Sequence, residues 1–181
     1  MNITRVEGLR CKLGEGPLWD PVSQTLYFVD VLDRRIWRYD PGTGTRDSWS
    51  LPDQVSALAL RQQGGAIVAL RNGIHFFDFV TGSTTLIGDP EADLPVTQWN
   101  DGKADPAGRF LAGTVATDQR SSCCGLYSVE PGGIRRLDGG FAITNGPCWS
   151  PDGKIFYWAD SVPMNIYAYD YDVATGGVAT S

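Results

Sequence analysis

Three stretches place a side-chain oxygen at the tip of the same kind of turn: EGPLWDP from Glu15, NDGKADP from Asn100 and NGPCWSP from Asn145. In each, a residue–proline step (Asp20-Pro21, Asp105-Pro106, Ser150-Pro151) begins five positions after the tip. One such turn alone needs no special explanation, because Gly, Pro and Asn are ordinary turn residues. Three in phase, each with an oxygen-bearing tip, point to a built site. A carboxylate and two carboxamides brought together are hard donors that suit calcium, magnesium or manganese and can also hold zinc. A cation held by Glu15 and the two asparagines, with open positions, would polarise a carbonyl oxygen and acidify a bound water, which is chemistry for opening an ester or lactone. Other chemistries lack their parts. His75 is the only histidine, so a His-rich zinc site is excluded, and its setting in GIHFFDF reads as a packed strand. No G-x-S-x-G, H-E-x-x-H, P-loop or G-x-G-x-x-G motif occurs.

The elements that carry these tips repeat. Glu15 leads through the strand TLYFV to Asp30, and Asn145 leads through IFYWA to Asp160, fifteen positions in both cases. A weaker copy starts near Ser56, in VSALALRQQGGAIVAL. The starts at 15, about 56, 100 and 145 give a period of roughly 41–45 residues, that of a four-stranded propeller blade. Each unit carries a third strand with an aromatic ladder (RIWRYD, GIHFFD, GLYSV, NIYAYD), a Gly-rich turn and a fourth strand, with no helix. The innermost strands of a propeller line its channel, so their tips fall on one ring although distant in sequence. Trp19, Trp37, Trp49, Trp149 and Trp158 are expected to pack. Trp99, beside Asn100, lies near the expected mouth.

The 181 residues, 42% hydrophobic, suffice for a sizeable core. Twenty-two glycines, eleven prolines and many aromatics favour short strands. The net charge of -6 is scattered, and no basic cluster tracks a phosphate backbone, so nucleic acid is not an expected partner. No apolar run approaches a membrane span, and MNITRVEGLRCKLGEG lacks a signal-peptide core. Cys11, Cys123, Cys124 and Cys148 match no zinc spacing and read as reduced thiols, giving a cytoplasmic expectation.

LGEGPLWD, QWNDGKADPAGRFLAGT and ITNGPCWSPDGKIFYWAD, in this order, resemble the regucalcin, gluconolactonase and luciferin-regenerating enzyme family, the senescence marker protein family. The resemblance covers nearly the whole chain. It implies an all-β, six-bladed β-propeller with one divalent metal (Ca, Zn, Mn or Mg) in its channel and hydrolysis of sugar lactones. Glu15 matches the family's carboxylate ligand and Asn145 its amide ligand. Asn100 matches the catalytic asparagine beside the metal that contacts substrate or water. Asp118 falls where relatives bond sugar hydroxyls. Gln98 stands where relatives often have arginine, and it brings neither charge nor a bidentate fork. Residues 1–181 are expected to form one propeller domain of about four blades, an incomplete ring, since six blades need roughly 270 residues. The family's fifth-blade aspartate, which doubles as general base, has no counterpart here. The alternatives are a calcium-binding or scaffold propeller without turnover, and a related hydrolase of phosphotriesters or other esters.

Overall fold

The computed structural model of the chain describes residue 3 and residues 5–180. Sixteen strands form four antiparallel sheets, each a simple meander, and no helix occurs among the described residues. The first blade holds β1 (Gly14–Asp20), β2 (Thr25–Asp30), β3 (Arg35–Tyr39) and β4 (Arg46–Ser50). The second holds β5 (Val55–Leu60), β6 (Ala66–Leu70), β7 (Gly73–Phe77) and β8 (Thr84–Gly88). The third holds β9 (Thr97–Ala104), β10 (Phe110–Ala116), β11 (Cys124–Glu130) and β12 (Gly133–Phe141). The fourth holds β13 (Thr144–Trp149), β14 (Ile155–Asp160), β15 (Asn165–Asp172) and β16 (Gly177–Thr180).

Period-two alternation sends one face of each strand toward the next blade. Tyr27, Val29 and Ile36 of the first blade pack on Val55, Val68 and Phe77 of the second. Ala57, Ala69 and Ile74 meet Trp99, Phe110 and Tyr127 of the third. Leu111, Leu126 and Phe141 meet Phe156, Trp158 and Tyr169 of the fourth. The innermost strands β1, β5, β9 and β13 pack in that order around the arc. No comparable packing joins the first sheet to the fourth among the described residues, so the arc of four blades is open.

Close approach of blades three and four requires glycine at 113. A Cβ there would lie 2.4 Å from the Trp158 ring and 2.6 Å from Thr144 Oγ1. The same two blades are pinned by charge. Asp105, buried, accepts from Arg109 and from Tyr171 Oη at 2.6 Å, while Arg109 Nη2 donates to the carbonyls of Val173 and Ala174 at 2.8 and 2.7 Å. Burial and the bond to Asp105 push the Tyr171 hydroxyl well above its ordinary range.

Of the tryptophans expected to pack, Trp158 is wholly buried, and Trp37, Trp49 and Trp149 are half-buried. Trp19 departs from that expectation at 45% exposure. Its neighbour Leu18 packs toward the second blade, so alternation turns Trp19 to the first sheet's outer face, with the stacked Phe28–Trp37 pair. His75 is buried, its ring nitrogens have no partner among the described residues, and burial lowers its pKa. All four cysteines are unbonded, and burial raises the Cys124 thiol to about 12. Among the described residues no helix is long and apolar enough to cross a membrane.

Candidate functional site

The four inner strands share a defect at the same place. The register of each against its neighbour slips by one residue: between Glu15 and Leu18, between Val55 and Ala57, between Trp99 and Gly102, and between Asn145 and Cys148. A bulge leaves one residue unpaired and re-aims its side chain. Ser56 and Asn100 fall within these bulges and Glu15 and Asn145 immediately before them, and all four line one cavity of about 530 Å³. In blades one and four the next residue, Gly16 or Gly146, takes the left-handed conformation at φ 56° or 63°, which glycine adopts without strain. The E-G-P and N-G-P signatures are the sequence form of this bulge.

The approach to two of the tips is clamped. Asp30, buried at the end of β2, accepts from the backbone N–H groups of Lys12 and Leu13 at 2.9 and 3.1 Å. Asp160, buried at the end of β14, accepts from Ala142 and Ile143 at 3.0 and 2.9 Å. Burial alone would raise the Asp30 pKa; the backbone donors from Leu13, Lys12 and Asp33 outweigh it and hold the group below its usual value. These aspartates fix the chain just before Glu15 and just before Asn145.

The third and fourth inner strands are knitted together at the site. Asn100 Nδ2 donates to the Thr144 carbonyl at 2.6 Å and to Asn145 Oδ1 at 3.1 Å. Asn145 Nδ2 donates to Ser161 Oγ at 2.8 Å. A carbonyl only accepts, so the Thr144 contact fixes which end of the Asn100 amide is nitrogen. That nitrogen in turn requires the facing atom of Asn145 to be oxygen. Asp101 Oδ2 accepts from the Gly146 N–H at 2.8 Å, a third tie between the two strands. Asn145 thus presents a defined oxygen, and Asn100 holds it.

Gln98 lines the same cavity. Trp99 borders it but is 3% exposed and lies 5.4 Å from the Tyr127 ring, so packing is its main role. Asp118 is not among the lining residues; its exposed carboxylate accepts from the Arg120 N–H, the Ser121 N–H and Ser121 Oγ within its own turn. The Ser121 hydroxyl first, then the backbone donors, lower its pKa from 3.8 to about 2. Its neighbour Gln119 lines the cavity instead. Arg71 and Asp101 also line it and were not singled out from sequence, because neither sits at a repeated tip.

Among the described residues, no three His, Cys, Asp or Glu side chains gather as a metal-holding group. The convergent donors are instead two carboxylates, Glu15 and Asp101, the latter already accepting from the Gly146 N–H, and amide oxygens; Glu15 is the carboxylate at a strand tip. No hydrogen bond or ion pair within the described residues engages that carboxylate. In chemical type these donors fit a hard dication. In number they supply only part of a shell of six to eight oxygens. Among the described residues, no His or Cys side chain lines the cavity.

An arc of four-stranded blades whose inner bulges aim oxygen donors into one cavity defines a β-propeller with a channel-mouth site. The chain belongs to the SMP-30/gluconolactonase/LRE-like family, whose signature matches residues 13–181. It is 34% identical to regucalcin from Danio rerio over 172 residues, 93% of this chain and 58% of that protein. Its fold superimposes on a calcium-binding protein, regucalcin, from Agrobacterium tumefaciens with a TM-score of 0.90 at 30% identity, covering 97% of this chain and 60% of that one. A luciferin-regenerating enzyme gives 0.87 at 31%, covering 94% and 59%. The chain therefore spans about three fifths of the length of these relatives.

Proposed function

We propose that residues 1–181 belong to one propeller domain of a cation-dependent hydrolase that opens sugar lactones. The observation that carries this reading is the convergence of Glu15, Asn100 and Asn145 on one cavity, with the Asn145 oxygen oriented through Asn100. Membership of a family described by gluconolactonase supports the reaction class. Glu15 and Asn145 would hold the divalent cation, calcium being favoured by the hard donors and by the calcium-binding relative. Bound there, the cation supplies Lewis-acid polarisation of a carbonyl and acidification of water. Asn100 keeps the Asn145 oxygen turned inward, and its own Oδ1 accepts from a substrate hydroxyl or from water. Gln98 and Gln119 offer neutral amides to sugar hydroxyls. Asp118 is left to its turn. The general base implied by the family is not assigned to any residue of 1–181.

Ring opening of glucono-δ-lactone, followed with and without added Ca²⁺, Mg²⁺, Mn²⁺ or Zn²⁺, tests the reading. Cation-dependent turnover that falls at least a hundredfold in Glu15→Ala and Asn145→Ala is expected, the scale of losing one oriented electrostatic contact. Turnover unchanged by both substitutions contradicts it. Calcium binding without opening of any lactone or ester would instead identify a binding propeller, the reading that the calcium-binding relative favours.

A further inference from the structure

The cavity has a second tier. In every blade the residue just after the second strand donates its backbone N–H to the residue just before the inner strand. The bonds are Val31 to the Leu13 carbonyl at 2.9 Å, Arg71 to Gln54 at 2.9 Å, Thr117 to Val96 at 2.7 Å and Ser161 to Ile143 at 3.0 Å. This repeated bond sets four equivalent positions just outside the ring of Glu15, Ser56, Asn100 and Asn145. Val31, Arg71 and Thr117 all line the cavity, and Ser161 bonds Asn145.

Blade two differs from the others in a way that suits a ligand. Its inner residue, Ser56, is the shortest of the ring and is occupied by a bond to the Ala69 carbonyl. Its outer residue, Arg71, is the longest of its tier and the sole lysine or arginine lining the cavity. The Arg71 guanidinium makes no hydrogen bond or ion pair among the described residues. Asp89 and Glu91 share with it the wall of a small adjoining cavity of about 10 Å³, yet neither lies within ion-pair distance. Arg71 is exposed, and its five donors in a planar fork lie at the mouth of a site otherwise built of acceptors and neutral amides.

We infer that Arg71 is an anion subsite, selecting substrates or products that carry a carboxylate or phosphate on the sugar. A guanidinium binds either group through two parallel charge-assisted bonds, which a neutral hydroxyl cannot reproduce. The sugar identity rests on the lactonase reading; the anion preference does not.

Binding of D-glucuronate, D-glucose 6-phosphate and neutral D-glucose is measured by NMR titration on the protein and on Arg71→Gln and Arg71→Lys, with lactone opening assayed in parallel. One or both anions should bind about tenfold to a hundredfold more tightly than glucose. The Arg71 Nε–H resonance should shift with the anion and not with glucose. Arg71→Gln should abolish the preference and leave glucose binding unchanged, while Arg71→Lys should retain part of it. Which anion gains more identifies carboxylate or phosphate as the group read. Equal affinity for charged and neutral sugars overturns the subsite, as does a preference that survives in Arg71→Gln. If Arg71→Gln folds poorly, the Arg71 resonance in the unaltered protein decides. Anion preference without ring opening overturns the lactonase reading alone; ring opening without anion preference overturns the subsite alone.

Discussion

The site depends on single atoms whose identity the hydrogen-bond pattern forces. Asn100 gives its amide hydrogens to Thr144 and Asn145, so Asn100→Asp would place a carboxylate against a carbonyl and an amide oxygen. Cation affinity in Asn100→Asp should fall although a charge has been added, because Asn145 loses its orientation; calorimetry of Ca²⁺ binding checks this, and tighter binding would show that charge outweighs geometry. Asp118 carries a separate prediction. Its pKa is depressed to about 2 by the Ser121 hydroxyl and two backbone donors. A depressed carboxylate stabilises the turn fully above its unfolded value, near 3.8, and that contribution is lost as pH falls toward 2. The Asp118 side-chain carboxyl carbon should titrate near 2, moving toward 3.8 in Ser121→Ala. A midpoint near 3.8 in the unaltered protein would free the residue for a sugar. The sequence could not separate these roles for Asp118, since the bonds that occupy it come from residues two and three positions on.

At the scale of elements, the bulged inner strand is the unit that the sequence spells most clearly. Glu15-Gly-Pro and Asn145-Gly-Pro encode a paired tip followed by an unpaired left-handed glycine and proline, so the tip and its phase are local information. Asp30 and Asp160 were legible as the ends of fifteen-residue spans, and their work as backbone clamps became visible only with the register. Arg71 was illegible because its blade holds the weakest copy of the repeat and a backbone bond to Gln54 places it. Asp101 was illegible because its partner, the Gly146 N–H, is 45 residues away. The junction of blades three and four offers two stability tests. Gly113→Ala drives a methyl into Trp158 and Thr144, and overpacking of this kind costs about 1–3 kcal/mol. Asp105→Ala strips the half-buried Arg109 of its carboxylate and the buried Tyr171 hydroxyl of its acceptor, a loss of about 1–3 kcal/mol. Urea unfolding measures both; a change below about 0.5 kcal/mol in either would contradict the packing described.

On the scale of the whole molecule, the main packing among the described residues joins neighbouring blades, so stability is approximately the sum of each blade and its interfaces. Gly113→Ala should therefore lower hydrogen-exchange protection at Phe156 and Trp158 more than at Val29 and Val68. The four-blade phase was readable from turns and aromatic ladders, because each blade repeats the same local chemistry. The cavity was not readable as a volume, since it exists only where four inner strands meet. The central claim is that oxygens distant in the chain share one cation, and paramagnetic Mn²⁺ tests it most directly. Substoichiometric Mn²⁺ added to labelled protein should broaden the Glu15 carboxyl and the Asn100 and Asn145 side-chain amide signals together, with one midpoint. Glu15→Gln should weaken the broadening of Asn145 as well. Broadening confined to other regions, or Glu15 and Asn145 responding at separate concentrations, would contradict the account.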